Sequence, residues 1–167
     1  KLAEAPTLEN SGGIIPFQIW GHISEMVEVL RGEHLISVLK SRQIGASWLI
    51  PGAYSLWNAI FKPVDTTLLY SKGEMEASEL LGKCRAIHRH LPDFFKWKIE
   101  PDSGTEMGFP VMDNSKIKAM AATETAGISF QASRIICDEH IEHPYAVQNY
   151  MAAKPTIDAG GQFVSIF

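Results

Sequence analysis

Apolar residues recur along the chain with two periods, one typical of helices and one typical of buried strands. Helical spacing is found over residues 17–30, 46–61, 74–91 and 144–153. Short apolar runs that predict buried strands cover residues 34–40, 66–71, 133–139 and 161–167. Because strands and helices alternate, the pattern predicts an α/β fold with a mainly parallel central sheet flanked by helices.

Three segments depart from this alternation. Residues 1–13 read as a loose lead-in without a clear period. Pro51 lies early in the second predicted helix and is expected to kink it. Residues 94–120 alternate and turn, and Asp113-Asn114 in their middle suits a hairpin loop, so we expect a β-hairpin insertion in the sheet.

Composition limits the classes of function. The 167 residues suffice for one domain with a sizeable core, and we expect it to be part of a longer polypeptide. The net charge of −4 is unlike that of a dedicated DNA-binding domain, so any DNA contact would need a local patch, another domain or a transient grip. No apolar run is long enough to predict a membrane span. The two cysteines, Cys84 and Cys137, are expected to be reduced thiols of a cytosolic protein.

The stretch LISVLKSRQIGASWLI, residues 35–50, resembles a phosphate-binding loop that lacks its lysine. Against the pattern G-x-x-x-x-G-K-[ST], it keeps Gly45 and Ser47, but Ala46 fills the lysine position and Lys40 the first glycine position. A lysine at the end of the preceding strand can swing back toward the phosphates, with Arg42 as a second contact. On these residues alone, an ordinary strand–turn–helix junction with Lys40 and Arg42 solvated is an equally open alternative.

Three further motifs follow the order expected of a nucleotide-binding domain. Asp138-Glu139 ends an apolar strand, where an acid can hold Mg²⁺ and a glutamate can polarise water. The Gln18 amide can pair with the edge of an adenine, and the neighbouring Phe17 ring can stack on the base. Ser165 in the last strand is a candidate sensor of the γ-phosphate. A surface turn, an amphipathic helix start and a plain core strand, respectively, are the alternatives.

Together these motifs resemble the ATPase domain of the phage terminase large subunit, over about residues 14–167. The family's loop often reads S-R-Q-x-G-x-[ST], which SRQIGAS, Ser41 to Ser47, matches, and some members place the lysine at the beginning of the loop. The resemblance implies a P-loop NTPase fold of the ASCE, RecA-like type. It also implies that ATP is bound by Phe17, Gln18, Lys40, Ser41, Arg42, Gln43, Ile44, Gly45, Ala46, Ser47, Trp48 and Ser165.

The same resemblance implies the catalytic roles and the partners. Ser47 and Asp138 would hold Mg²⁺, and Glu139 would activate water with Lys40 and Arg42 on the phosphates. The expected partners are double-stranded DNA, a portal protein, a small terminase subunit and copies of the chain in a ring, in the cytoplasm of an infected bacterial host; an isolated chain could be a monomer. The family's nuclease domain has no counterpart in this sequence, so no nuclease activity is expected.

Other readings stay open. In many family members an arginine precedes a glycine upstream of the acidic strand, whereas this chain has Ala126 before Gly127, so no arginine acting on a neighbouring subunit is assigned. The DEH sequence and the upstream glutamine would also suit a helicase-type translocase. Ala46 would suit a binding module whose catalytic loop has decayed. A basic stretch, residues 83–98, is expected to be solvated rather than to bind DNA, and the histidines are expected not to bind a metal.

Overall fold

The computed structural model describes residues 2–3, 14–15, 17–41, 43–124 and 131–167. Its α-helices are α1 (Gly21–Gly32), α2 (Ser55–Phe61), α3 (Glu74–Arg89) and α4 (Ala146–Asp158). Its strands are β1 (Leu2–Ala3), β2 (Ile14–Ile15), β3 (Leu35–Val38), β4 (Thr66–Ser71), β5 (Asp102–Ser103), β6 (Glu106–Phe109), β7 (Ser115–Ala121), β8 (Arg134–Cys137) and β9 (Gln162–Ile166). Across these ranges, no helix has both the length and the apolar character needed to cross a membrane.

A seven-stranded sheet organises the molecule, in the order β3-β9-β8-β4-β7-β6-β5. The first five strands in this order are parallel to their neighbours, and β6 and β5 run antiparallel. The prediction of a mainly parallel sheet flanked by helices is therefore confirmed. β1 and β2 pair only with each other in the described sheets, as a short antiparallel ladder.

The predicted hairpin insertion is partly integrated into the central sheet. β7 pairs in parallel with β4 over its whole length, from Thr66 opposite Lys116 to Ser71 opposite Ala121. Only β5 and β6 form the antiparallel extension, joined to β7 through a turn in which Asp113 and Asn114 have φ of 51° and 63°. Asn and Asp tolerate this left-handed conformation best among non-glycine residues, so the turn chemistry is as predicted. The alternating stretch FKWKIE, residues 95–100, at the start of the predicted insertion, forms no strand.

The second predicted helix begins at the loop but is π-helical over Trp48–Tyr54, before α2 continues it. Pro51 lies inside this segment, and because proline has no N–H the regular i to i−4 ladder cannot pass through it. The Cys84 thiol of α3 donates to the Pro51 carbonyl at 3.1 Å. Burial raises the pKa of Cys84 to about 12, so this group remains a thiol.

Both faces of the sheet are covered. The larger hydrophobic cluster lies under α1, α2, α3 and the π-helical segment, and it includes Ile136. The smaller cluster lies under α4 and contains Leu68, Tyr70, Ile135, Cys137, Ala153 and Phe163. Since successive side chains of a strand point to opposite faces, Ile136 and Cys137 of β8 belong to different clusters. This alternation decides which residues meet at the end of β8.

Candidate functional site

A cleft of about 290 Å³ opens at the edge of the sheet where the parallel strands end. In open parallel α/β sheets, ligands bind in the crevice outside the carboxyl ends of the strands. The sequence-predicted residues that line this cleft are Lys40, Gln43, Ile44, Gly45, Ala46, Ser47, Trp48, Asp138 and Glu139. Residues from the loop and from the end of β8, far apart in the sequence, are thus brought to one site.

The loop over residues 43–48 is held in a conformation that requires its glycine. Gly45 has φ of +81°, and a Cβ at this position would lie 3.1 Å from the ring of Phe17. The Gly45 carbonyl accepts hydrogen bonds from the backbone N–H groups of Trp48 and Leu49, at 3.1 and 2.9 Å, so the helix begins directly after the turn. Backbone N–H groups at such a turn and helix start suit the binding of an anion.

Lys40 lies on the strand side of the loop, whereas the lysine of the usual motif lies on the helix side. It follows β3, and its backbone N–H donates to the carbonyl of Phe167 at 3.2 Å, which anchors the backbone of this position to the end of β9. Its half-buried side chain lines the cleft together with the loop. Ala46 carries no charge, and the cations in the described cleft lining are Lys40 on the strand side and Lys83 of α3.

Asp138 reaches the cleft directly from the end of β8. Its backbone N–H donates to the Tyr70 carbonyl at 3.0 Å, which continues the β4–β8 pairing, and the residue is 6% exposed. Its Oδ1 has no hydrogen-bond partner among the described residues. A buried carboxylate oxygen without a partner is costly unless a ligand satisfies it.

Glu139 occupies the exposed rim of the cleft. Its backbone has φ of +51°, which turns the chain immediately after the strand. The Lys72 ammonium lies 3.4 Å from the Glu139 carboxylate and 2.6 Å from that of Glu142. The hydrogen bond to Glu142, followed by the charges of Glu142 and Glu139, raises the pKa of Lys72. Lys72 therefore links the cleft glutamate to the following turn.

Four described residues that the sequence also predicted do not line the cleft: Phe17, Gln18, Ser41 and Ser165. Phe17 is half-buried against Gly45, while Gln18 and Ser41 are exposed. Ser165 is buried in β9, opposite Cys137 in register, and its hydroxyl is 2.8 Å from His140 Nδ1. Arg42 falls outside the described residues, as do Ala126 and Gly127. Arg134 is buried at the beginning of β8, at the other end of the strand from the cleft.

β4 and α3 also contribute to the cleft, which the sequence did not predict. Ser71, Glu76, Glu79, Leu80 and Lys83 complete its lining. The position of Ser71 at the end of a predicted parallel strand was the available signal for it. Glu76, Glu79 and Lys83 are spaced like the polar face of an amphipathic helix, which does not distinguish a solvated face from a cleft wall. Lys83 belongs to the stretch that we expected to be solvated.

A second group of side chains, whose histidines were expected only to flank the acids, lies behind the acidic pair. Cys137, His140 and His143 are all buried, and one potential ligand atom from each lies within 4.8 Å of the other two. Burial lowers the pKa of His140, and it lowers the pKa of His143 against the opposing effect of the hydrogen bond to the Asp138 carbonyl. Both imidazoles are therefore neutral near pH 7. Burial also raises the pKa of the Cys137 thiol.

Comparisons with known proteins found similarity in structure only. No protein-family model and no curated protein sequence matches the chain. The ATPase domain of the Thermus phage P74-26 large terminase matches with a TM-score of 0.65 and 14% identity, over 90% of this chain and 70% of that one. A mutant of the same domain matches with a TM-score of 0.60 and 14% identity, over 88% and 68%.

The large terminase of a second, thermophilic bacteriophage matches with a TM-score of 0.64 and 9% identity, over 82% of this chain and 34% of that one. At these identities the likeness concerns the fold. The chain therefore resembles, in fold, the ATPase domains of phage large terminases.

Proposed function

We propose that this chain is the ATP-hydrolysing motor domain of a terminase large subunit, which uses Mg²⁺-ATP to move double-stranded DNA into a procapsid. The observation that carries the proposal is the cleft that unites the Gly45 loop, Lys40 and the Asp138-Glu139 pair at the carboxyl edge of the sheet. The terminase-like fold supports the choice of a packaging motor over a helicase-type translocase.

Phosphate binding rests on the loop and on Lys40. The backbone N–H groups of residues 43–48 surround the phosphates, and the helix start adds positive potential. Lys40 supplies the ammonium that the usual motif carries next to the serine, with Arg42 as the proposed second cation. Phe17 and Gln18 precede α1 and are proposed to contact the adenine. Lys83 is a further cation in the cleft lining.

The donor set of the cleft fits Mg²⁺. Asp138 offers a buried carboxylate oxygen that lacks a partner in the described part of the chain, and Ser47 offers a hydroxyl in the same cleft. Oxygen donors of this kind are those that Mg²⁺ accepts, together with phosphate oxygens and water. When bound, Mg²⁺ neutralises charge on the outer phosphates.

Hydrolysis requires a base that faces the terminal phosphate. Glu139 is exposed at the rim, lines the cleft and is held by Lys72, so its carboxylate can accept a proton from the attacking water. Ser165 is proposed to relay the state of the γ-phosphate through the end of β9. A neighbouring copy in a ring would complete the site with an arginine, and the portal protein and small subunit would act as partners in the host cytoplasm.

The test compares Glu139→Gln with Glu142→Gln. Both variants remove one carboxylate from Lys72, but only Glu139 lines the cleft. We expect Glu139→Gln to lower the ATP turnover number by about 10²- to 10⁴-fold with Mg²⁺-ATP affinity retained, because the base acts in the chemical step. Turnover should be assayed over a range of chain concentrations, since ring assembly contributes to activity.

Unchanged turnover in Glu139→Gln would show that Glu139 does not act in catalysis. Tight Mg²⁺-ATP binding by the native chain without hydrolysis at any concentration, with DNA and portal present, would instead identify a decayed binding module.

A further inference from the structure

Two buried histidines, His140 and His143, follow β8 and lie close to Cys137. His143 Nε2 lies 2.8 Å from the Asp138 carbonyl, which can only accept, so this nitrogen carries the proton and Nδ1 bears a lone pair. His140 Nδ1 is 2.8 Å from the Ser165 hydroxyl. The remaining nitrogens, His140 Nε2 and His143 Nδ1, are buried and have no hydrogen-bond partner among the described residues.

Both side chains are more than nine-tenths buried, at 7% and 5% exposure, so bulk water does not satisfy these nitrogens. The imidazole rings of His140 and His143 meet edge to face, with centroids 5.1 Å apart. The Cys137 thiol completes the group, with ligand atoms within 4.8 Å of one another. A buried unpartnered nitrogen costs stability, and two of them beside a thiol call for a shared partner.

We propose that Cys137, His140 and His143 form a buried site for a transition metal ion, with Zn²⁺ the best fit to the donors. One thiolate and two imidazoles are the ligand types that Zn²⁺ prefers, whereas Mg²⁺ takes oxygen donors. With Nε2 on the metal, His140 Nδ1 carries the proton and donates to the Ser165 hydroxyl, as His143 Nε2 donates to the Asp138 carbonyl. Outer contacts of this kind orient histidine ligands in metal sites. Binding releases the thiol proton to solvent.

The location of the site indicates a structural role for the metal. Asp138 and Glu139 lie between the ligands in sequence, and Asp138 lines the cleft while Cys137 packs into the cluster under α4. A metal bound to residues 137, 140 and 143 ties both ends of the turn that carries the two acids. The site is therefore a positioning device for the rim of the cleft, and its existence does not depend on the proposed ATPase activity.

The experiment uses the two cysteines as a matched pair. Both are buried, but Cys84 belongs to the other hydrophobic cluster and bonds to the Pro51 carbonyl. Tag-free chain is stripped with a chelator and titrated with Co²⁺, and the thiolate-to-cobalt charge-transfer absorption is recorded; retained Zn²⁺ is measured by mass spectrometry before stripping. We expect about one metal ion per chain, and a charge-transfer band that persists in Cys84→Ser and disappears in Cys137→Ser.

A second pair of variants separates ligand loss from misfolding. His143→Gln should weaken Co²⁺ binding at least about tenfold, whereas His90→Gln, at an exposed position, should leave it unchanged. Because Cys84→Ser retains Cys137 as its one thiol, its band alone assigns the ligand even if Cys137→Ser fails to fold. Absence of retained Zn²⁺ together with absence of the band in both native chain and Cys84→Ser would overturn the site and leave buried water as the partner of the histidines.

Discussion

The two edges of the parallel sheet differ in how completely their buried polar side chains are hydrogen-bonded. At the amino-terminal edge, Arg134 donates to both carboxylate oxygens of Asp65, at 2.8 and 2.7 Å, and stacks over the Tyr54 ring at 5.3 Å. Gln162 on the same edge bonds to the carbonyls of Leu30 and Glu33 and accepts from the Tyr54 hydroxyl. Arg134 Nε has no hydrogen-bond partner among the described residues, but the charged pair and the amide are otherwise satisfied within the chain.

At the carboxyl-terminal edge, buried polar atoms are left over. Asp138 Oδ1, His140 Nε2 and His143 Nδ1 have no hydrogen-bond partner in the part of the chain that the structure describes. Native proteins satisfy most buried polar groups, so a group of unsatisfied atoms at one edge points to ligands there. Paired residues at the amino-terminal edge stabilise the fold, and the residues left unpaired at the carboxyl-terminal edge are those that we propose bind a nucleotide or a metal.

The largest effect is expected at the satisfied edge. Arg134→Met leaves the buried Asp65 carboxylate without its cationic partner, and we expect the free energy of unfolding to fall by about 3–5 kcal/mol. Urea denaturation measures this. Replacing both residues, as Arg134→Met with Asp65→Leu, should cost less than the single change because no charge remains uncompensated. A loss below about 1 kcal/mol, typical of a surface ion pair, would contradict the contrast between the edges.

A smaller effect is expected where the loop meets Phe17. Gly45→Ala forces a side chain into the left-handed region at φ +81° and against the Phe17 ring, and should lower stability by about 1–3 kcal/mol and weaken nucleotide binding. Gly82→Ala is the matched control, since Gly82 lies inside α3 with open space around its Cβ position. It should stabilise the chain by about 0.5–1 kcal/mol. Equal effects of the two changes would show that the loop conformation is not specified.

The smallest effect is expected at Lys72, which is exposed and acts through Glu139. Lys72→Ala frees the glutamate from one contact at 3.4 Å, so we expect the turnover number to fall less than about tenfold with KM unchanged. Lys72→Arg should restore most of the turnover, and high salt should reduce the difference between variants, because exposed pairs are screened. A change in KM alone would show that Lys72 contacts the nucleotide and does not position the base.

The fold could be predicted where strands and helices alternate clearly along the chain. The prediction failed where strand pairing depends on tertiary contacts. Strands 66–71 and 133–139 are apolar on both faces, which is typical of central parallel strands. β7 alternates between buried residues such as Ile117 and half-buried lysines, so its pattern resembled a hairpin strand although it pairs in parallel with β4. Burial pattern alone does not specify the direction of a neighbouring strand.

The lining of the candidate cleft could be predicted where its residues are close together in sequence. The Gly45 loop and the acids at 138 and 139 follow a recognisable order in the sequence, and they line one cleft in the structure. Lys83 was missed because its cleft position depends on the packing of α3 against the sheet. The cluster of Cys137, His140 and His143 was missed because it needs the left-handed turn at Glu139 and the short 3₁₀ turn His140–Glu142 to bring the three side chains together.

The most direct measurement compares the affinities of Mg²⁺-ATP and AMP for the native chain, Lys40→Ala and Lys98→Ala, by titration with fluorescent analogues. Lys98 is an exposed control, paired with Glu100. If the ammonium of Lys40 binds the outer phosphates, Lys40→Ala should lose about ten- to hundredfold in ATP affinity, corresponding to a charge-assisted contact of about 1.5–3 kcal/mol, with AMP affinity unchanged. An unchanged preference for ATP over AMP in Lys40→Ala would contradict the account.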